Sequence, residues 1–267
     1  MKSPSQDVTR FKVGTLKLEI HRTGKAAGEA AAQAAADELR RLAKFGKDVG
    51  VIFATGASQL DTLEALISTP GLPWQHVLGF HMDEYLGLDE NHPASFRRYL
   101  RERLTGRVAM RGFFEIDGTP EGIESFAKRY IQSLDEANPQ LCLLGIGENG
   151  HLAFNDPGEA DFNDPLPIKV VTLDDACRRQ QVSEGWFAGP EEVPRQALTL
   201  TIPTLFRVPK LIVSVPGSRK ATAVRRTLED TISRDCPSTL LRTHPDVTLY
   251  LDVDSAAALS DAYLSQQ

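Results

Sequence analysis

The composition is that of an ordinary globular protein with an excess of acidic residues. The 267 residues include 36 Asp and Glu against 30 Lys and Arg, which gives a net charge of −6 at pH 7 with the six histidines neutral. This balance argues against a nucleic-acid-binding protein, because such proteins neutralise phosphates with clustered cations. Hydrophobic residues make up 41% and charged residues 25%, so the chain can bury a core and is too apolar for disorder.

Cysteine content and the N-terminal sequence indicate a cytoplasmic protein. The three cysteines, Cys142, Cys177 and Cys236, are odd in number and lack C-x-x-C spacing, so neither a disulfide framework nor a cysteine-based zinc site is expected. Residues 3–10 are polar where a signal peptide would have an apolar core, and no stretch approaches the roughly 18 apolar residues of a membrane span. We therefore expect a protein of the reducing cytoplasm that does not contact membranes.

Strand and helix patterns alternate along the chain. Short apolar runs predict buried strands at residues 51–54, 141–146, 168–173, 197–202, 211–215 and 247–251. Helical patterns lie between several of them, at residues 26–45, 59–67, 94–104, 120–137 and 220–228. This alternation indicates an α/β fold with a single doubly wound, mainly parallel sheet and helices on both faces, a Rossmann-like three-layer sandwich. A ligand is expected at the carboxyl ends of the strands.

Two of these strands run into helix starts that are suited to binding an anion. The segment 55–58 leads into a helix, and Ser58 with Asp61 is expected to form a capping box there. Gly217 precedes a later helix, and Lys220 lies in the first turn of that helix. The helix dipole disfavours a cation at this position unless an anion also binds there. Ordinary βα turns and a solvent-facing lysine are the alternative explanation. If both turns lie at the carboxyl edge of the sheet, they converge on one ligand.

Two adjacent carboxylates follow the apolar run at residues 77–80. Because successive side chains of an extended chain alternate in direction, one of Asp83 and Glu84 is expected to face a cleft and the other to face away. A carboxylate in a partly dry cleft is a suitable base for removing a proton from a carbon beside a carbonyl or imine. A capped turn with solvated acids is the alternative. The spacing of His81, Asp83 and His92 matches no metal-ligand pattern.

A glycine-rich loop is expected to present a histidine. Residues 143–157 contain G-x-G-x-x-G after a strand, as in dinucleotide-binding folds, followed at once by His151 and then by Asp156. That fingerprint requires its glycines to open a helix, whereas three prolines interrupt residues 157–167. Nearby carboxylates can fix the tautomer of the histidine and raise its basicity, so we interpret His151 as an acid/base residue.

Taken in chain order, these stretches resemble the glucosamine-6-phosphate deaminase (isomerase) family, which is related in fold to 6-phosphogluconolactonases. The resemblance covers residues 16–259. It is sharpest at MDEYLGL (residues 82–88), GIGENGHLAFNDP (residues 145–157) and PGSRK (residues 216–220). The lactonase branch typically carries a D-E-R element and a G-x-D-G-H-T-A-S string. Tyr85 and the segment 151–155 therefore favour the deaminase branch.

The resemblance implies an enzyme that hydrolyses a C–N bond while isomerising an aldose to a ketose. Glucosamine 6-phosphate and water would give fructose 6-phosphate and ammonia. On this resemblance Asp83 moves a proton from C2 to C1, and His151 assists ring opening with Asn149 and Asp156 as its partners. The resemblance assigns substrate and phosphate binding to Thr55, Gly56, Ala57, Ser58, Glu84, Gly147 and Lys220. Neither a metal nor an organic cofactor is implied, because the substrate's own amine provides the electron sink.

The sequence departs from the family around the site. Well-studied members have Asp two residues before the histidine and Glu five residues after it, where this chain has Asn149 and Asp156. Gln181 stands in place of a phosphate-binding arginine, for which Arg178 and Arg179 are candidate substitutes. Turnover of another hexosamine 6-phosphate such as the galacto isomer, lactone hydrolysis, and sugar-phosphate sensing without turnover therefore stay open as alternatives.

No linker divides the chain, so we expect one domain over residues 1–267. Prolines and acids rule out a helix or central strand at residues 157–167, and long loops beside a site often act as lids. We therefore predict a lid over residues 156–187. The expected partner is a small-molecule sugar phosphate, with neither nucleic acid nor membrane. Members of the family range from monomers to hexamers, so a homo-oligomer stays open.

Overall fold

Eight strands form the main sheet of the protein. A computed structural model describes residues 8–264, so residues 3–7 of the polar N-terminal stretch lie outside the described range. The strands are β1 (Thr9–Val13), β2 (Leu16–His21), β3 (Val49–Phe53), β4 (Val77–His81), β6 (Gly112–Phe114), β7 (Leu141–Leu144), β10 (Lys210–Val215) and β11 (Val247–Asp252). Their order is β1-β2-β11-β10-β7-β3-β4-β6, and all neighbours are parallel except β1 and β2.

Helices surround this sheet. They are α1 (Gly24–Leu42), α2 (Leu60–Ser68), α3 (Phe96–Leu100), α4 (Ile123–Ala137), α5 (Asp175–Ser183), α6 (Ile202–Phe206), α7 (Ala221–Glu229) and α8 (Asp261–Leu264). The five predicted helices are confirmed with shifted ends; that predicted at 94–104 begins as α3 and continues as the π-helical turn Arg101–Thr105. The sequence did not predict α5, α6 or α8.

Neighbouring residues of the central strands pack into two different apolar layers. In β7, Leu141 and Leu143 face the layer built with α1 and α2, whereas Cys142 and Leu144 face the layer built with α4 and α7. The same alternation separates Ile52 from its neighbours in β3, as expected for strands buried on both faces. The predicted α/β fold with a mainly parallel sheet and helices on both faces is confirmed.

A second, smaller sheet corrects the expectation of a single sheet. The strands β5 (Asp83–Tyr85), β9 (Gln196–Leu200) and β8 (Ile168–Thr172) pair antiparallel in the order β5-β9-β8. The predicted strands at 168–173 and 197–202 are real, but they belong to this sheet, because an apolar run indicates burial without indicating its partner strand. Tyr85 anchors an aromatic cluster beneath it, with ring centroids 5.0 Å from Phe96 and 5.2 Å from Phe154.

The strand order places four candidate loops side by side. The loops that follow β10, β7, β3 and β4 leave the same edge of the sheet because these four strands are consecutive neighbours and parallel. These are the carboxyl ends at which a ligand was expected. The small sheet and α5 belong to the chain segments that follow β4 and β7.

The segment predicted as a lid, residues 156–187, begins as an irregular connection and continues through β8 and α5. Lys169 Nζ lies 2.8 Å from Asp164 Oδ2 and donates a hydrogen bond to the Glu159 carbonyl at 2.6 Å. Arg234 Nη2 lies 2.8 Å from Asp161 Oδ1. Residues 159–169 are therefore held by contacts among themselves and by one ion pair to Arg234, and movement of the lid stays a prediction.

Two further features concern the cysteines and the helices. Cys142, Cys177 and Cys236 are all buried free thiols. Among residues 8–264, the helices lack the combination of length and apolar composition that crossing a bilayer requires.

Candidate active site

The four loops line one cavity at the carboxyl edge of the main sheet. It brings together Asp83, Gly147, His151 and Lys220 with the segment 55–58. Apolar side chains complete its wall: Met82, Phe96, Leu144, Ile146 and Phe154. The cavity thus combines apolar walls with several converging polar and charged side chains, an arrangement that can orient a small polar ligand.

The two predicted anion-binding turns converge, as expected, but the turn at residues 55–58 lacks the capping box that the sequence predicted. Gly56 and Gly217 adopt φ values of 91° and 94°, which favour glycine, and each precedes a short 3₁₀ turn. The capping box of Ser58 with Asp61 is wrong, because no side chain caps α2 or the turn Ala57–Gln59. Instead the Gln59 amide donates to Ser58 Oγ at 3.2 Å and to the Leu144 carbonyl at 3.3 Å.

Lys220 is the one lysine or arginine among the residues that line the cavity. It is 7% exposed, and the described residues offer its ammonium group neither a hydrogen bond nor an ion pair. Burial lowers the pKa of Lys220, opposed by the charges of Glu184 and Glu148. A buried cation without a partner is costly, so this position is suited to an anionic ligand.

Asp83 lies where the chain passes from β4 into the small sheet. Its side chain is 6% exposed and lines the cavity. Its Oδ1 has no hydrogen-bond partner among the described residues. Burial, and secondarily the charge of Glu84, raise the pKa of Asp83 well above its ordinary value. When ionised, such a carboxylate is a stronger base than one in water.

Glu84 points away from the cavity, which does not support its predicted role in binding substrate. One carboxylate oxygen accepts backbone N–H bonds from Tyr85 and Phe96, at 3.0 and 3.2 Å. The other accepts bonds from Ser95 Oγ at 3.1 Å and from the Arg97 backbone at 2.8 Å. Glu84 therefore anchors the start of α3, and the alternation of side chains leaves Asp83 as the acid in the cavity.

His151 is paired with Asp156 directly behind the cavity. Its Nδ1 lies 2.7 Å from Asp156 Oδ1, and Asp156 is fully buried. Burial opposes ionisation of Asp156, but the charge and hydrogen bond of His151, with a hydrogen bond from Asn149, lower the pKa of its carboxyl. This contact fixes the imidazole, whose other nitrogen is free to exchange a proton with a ligand. Neither Asn149 nor Asp156 lines the cavity.

Gly147 leaves room for this histidine. A Cβ atom at position 147 would lie 2.2 Å from His151 Cε1 and 2.3 Å from His151 Nε2, far inside van der Waals contact. The glycine is therefore required by a close approach between loop backbone and imidazole.

Gly147→Ala is expected to lower kcat about 100-fold or more, because the added methyl group forces the His151 ring out of its place and such misplacement is costly in catalysis. Steady-state kinetics and thermal unfolding check this result. Gly145→Ala is the control in the same loop, since its Cβ would lie no closer than 3.1 Å to the side-chain ends of Gln59 and Ser58 and 3.8 Å from the Ser214 carbonyl oxygen. Equal activities of the two variants would contradict the assignment.

Helix α5 and the residue that follows it contribute three lining residues, of which only Gln181 was singled out from the sequence. They are Gln180, Gln181 and Glu184. Gln180 Oε1 accepts the Glu148 backbone N–H at 3.0 Å, and Gln180 Nε2 donates to Glu184 Oε1 at 2.8 Å. A polar helix of nine residues has a weak periodic signal, although an acidic residue after an apolar run, as at Asp174, indicates a helix start.

The candidate substitutes for the missing arginine do not reach the cavity. Arg178 does not line the cavity; its Nη1 lies 3.6 Å from Asp175 Oδ1 and its Nη2 donates to the Pro190 carbonyl. Arg179 is exposed and is also absent from the lining. Lys220 is therefore left as the cation that an anionic ligand would meet.

One group of side chains could in principle hold a metal ion. Donor atoms of His151, Asp156 and Cys177 lie within 4.8 Å of one another. Burial and the charges of Asp156 and Asp174 raise the pKa of the Cys177 thiol, and His151 and Asp156 already contact each other at 2.7 Å. The two other histidines that the sequence analysis considered as metal ligands, His81 and His92, each use Nδ1 to accept a backbone N–H bond, at 3.3 and 3.1 Å.

Comparison with known proteins identifies the family. Residues 22–250 match the family described as glucosamine-6-phosphate isomerases/6-phosphogluconolactonase. The chain is 32% identical to a glucosamine-6-phosphate deaminase of Geobacillus sp. (strain WCH70), over 87% of this chain and 93% of that protein. It is also 32% identical to glucosamine-6-phosphate deaminase 1 of Bacillus subtilis (strain 168), over 91% and 99%.

Solved structures agree with this comparison. The structure of a monomeric glucosamine-6-phosphate deaminase matches with a TM-score of 0.82 and 30% identity, covering 90% of this chain and 99% of that chain. A 6-phosphogluconolactonase from Trypanosoma brucei matches with a TM-score of 0.74 and 19% identity, covering 91% and 98%, a likeness that concerns the fold alone. By the extent of the family match and these identities, the chain belongs to the glucosamine-6-phosphate isomerase/6-phosphogluconolactonase family.

Proposed function

We propose that this protein is a glucosamine-6-phosphate deaminase, which converts glucosamine 6-phosphate and water to fructose 6-phosphate and ammonia. The observation that carries the proposal is the meeting of three groups in one cavity: the buried Asp83 carboxylate, the His151–Asp156 pair and the Lys220 ammonium. The relatives that are about 32% identical are named as deaminases of this substrate. The structures named as 6-phosphogluconolactonases are 16–19% identical.

The phosphate is bound by Lys220 and the turn at residues 55–58. Lys220 supplies a full positive charge in a buried place, where charge-assisted hydrogen bonds are strong. The turn that begins after Gly56 supplies backbone N–H groups, since the first N–H groups of a helical turn have no acceptor within it. The acidic protein therefore binds an anion through local features and not through a positive overall field.

His151 and Asp83 act in successive steps of the reaction. His151, held by Asp156, exchanges a proton with the ring oxygen, so the pyranose opens to the aldehyde. Asp83 then removes the proton at C2 and returns it at C1, which leaves an imine at C2. Addition of water to this imine releases ammonia and forms the ketone of fructose 6-phosphate. The wall formed by Met82, Leu144 and Phe154 limits water around Asp83 and preserves its basicity.

The experiment that tests the proposal compares substrates. Wild-type protein is incubated separately with glucosamine 6-phosphate, galactosamine 6-phosphate and 6-phosphogluconolactone, and ammonia, ketose phosphate and acid are measured. Ammonia release that is fastest with the gluco isomer supports the proposal. Faster release from the galacto isomer, dominant lactone hydrolysis, or binding of all three without turnover would each replace it by the corresponding alternative.

Two further predictions accompany this function. We propose a cytoplasmic location, supported by the cysteine content of the sequence, and a mobile cover formed by residues 156–187, supported by the position of α5 along the cavity. Hydrogen exchange with and without substrate tests the second prediction. Slower exchange in this segment on binding is expected.

A further inference from the structure

The contacts of His151 extend to a second carboxylate, that of Asp174. Asn149 Nδ2 lies 3.0 Å from Asp156 Oδ1 and 3.2 Å from Asp174 Oδ2. An amide group carries two N–H donors, so one side chain bridges the two carboxylates. Asn149 Oδ1 accepts the His151 backbone N–H at 3.0 Å. The amide is therefore held on both of its sides, which sets its orientation.

Asp174 is itself fixed by the helix that it begins. It is the N-cap residue of α5, and its Oδ1 accepts the Cys177 backbone N–H at 2.5 Å. Its other oxygen is the one that Asn149 contacts. The backbone N–H of Asp174 also contributes to stabilising the charge of Asp156. Helix α5, whose Gln180 and Gln181 line the cavity, is thus joined to the His151–Asp156 pair through one asparagine.

We propose that Asp174 is a positioning residue for the reaction. It holds the Asn149 amide, and the amide holds the Asp156 oxygen that contacts His151 Nδ1. The bridge requires a donor at position 149, because an aspartate there would place three carboxylates against one another. Asn149 and Asp174 therefore act as a matched pair. This inference rests on the proposed deaminase function.

The test separates this role from simple helix capping. Asp174→Asn keeps an oxygen that can accept the Cys177 N–H, and asparagine caps helices as well as aspartate does. Its second terminal atom becomes a donor, which cannot accept a bond from the Asn149 amide. Asp175→Asn is the matched control, because the Asp175 side chain is 80% exposed and its Oδ1 lies 3.6 Å from Arg178 Nη1. Both variants lose one negative charge at adjacent positions.

We expect Asp174→Asn to lower kcat about tenfold with KM within twofold of wild type, while Asp175→Asn matches wild type. Asn149→Ala should lower kcat at least as much. The double variant Asn149→Ala/Asp174→Asn should be no slower than Asn149→Ala alone, because residues that act through one contact are not additive.

Three results would overturn the inference: Asp174→Asn as active as Asp175→Asn, a change confined to KM, or multiplied losses in the double variant. If Asp174→Asn does not fold, Asp174→Ser is judged by the same criteria, since serine also caps helices. A wild-type protein that releases no ammonia would instead contradict the proposed function, so the two failures are distinguishable.

Discussion

Asp83→Asn is expected to lower kcat about 1,000-fold while substrate binding is retained. An amide has nearly the shape of the carboxylate but cannot take the proton from C2, and loss of a general base typically costs 100-fold to 10,000-fold. Steady-state kinetics give kcat, and calorimetric titration with glucosamine 6-phosphate gives the affinity. Asp89→Asn, which changes an exposed acid in the loop that follows, is the control and should match wild type.

The same variant should also stabilise the fold at neutral pH. The pKa of this carboxyl is raised in the folded state, whereas in the unfolded chain it is about 3.9. Above that pH the unfolded state ionises more readily than the folded state, so the free energy of unfolding falls. The thermal midpoint of Asp83→Asn is therefore expected to exceed that of wild type at pH 7, and the difference should vanish below about pH 4. Full activity, or a lower midpoint at pH 7, would contradict the account of a buried, unpaired base.

Lys220→Met is expected to raise KM for glucosamine 6-phosphate about 100-fold with a smaller effect on kcat. A hydrogen bond to a charged group contributes up to about 3 kcal/mol, and each 1.4 kcal/mol is about tenfold in affinity. The thermal midpoint should rise, because methionine removes a buried ammonium that has no partner among the described residues. Kinetics and thermal unfolding measure the two effects.

The control for this charge change is Lys25→Met, since the side chain of Lys25 is 76% exposed and distant charges of this kind contribute little. Inorganic phosphate provides a second readout. It should inhibit wild type competitively and should inhibit Lys220→Met much more weakly. Equal inhibition of the two proteins would show that phosphate is bound elsewhere.

The residues that carry most of the proposed chemistry could be located from the sequence because each follows a buried apolar run. Parallel strands have their carboxyl ends at one edge, so the turns at 55–58 and Lys220 were expected to converge. The resemblance assigned Asp83 and His151 to the same site, and the structure brings all four into one cavity. The alternation of side chains also explains why Asp83 faces the cavity while Glu84 anchors α3.

Features that depend on long-range pairing could not be predicted in this way. In sequence, β8 and β9 have the apolar pattern of any buried strand. They belong to a second sheet because β9 pairs with β8 and with β5, and β5 spans only three residues. The Asn149–Asp174 contact joins residues 25 positions apart, and nothing local to Asn149 indicates it. The Ser58 capping box was wrong because Gly56 starts a 3₁₀ turn before α2 begins.

The most direct test of the central claim is a product analysis of wild type and Asp83→Asn at equal concentration with glucosamine 6-phosphate. The account predicts ammonia and fructose 6-phosphate in equal amounts from wild type, and neither from Asp83→Asn above the uncatalysed rate. Ammonia release that is equally fast in both proteins would contradict the role of Asp83. The absence of both products from wild type would contradict the deaminase function itself.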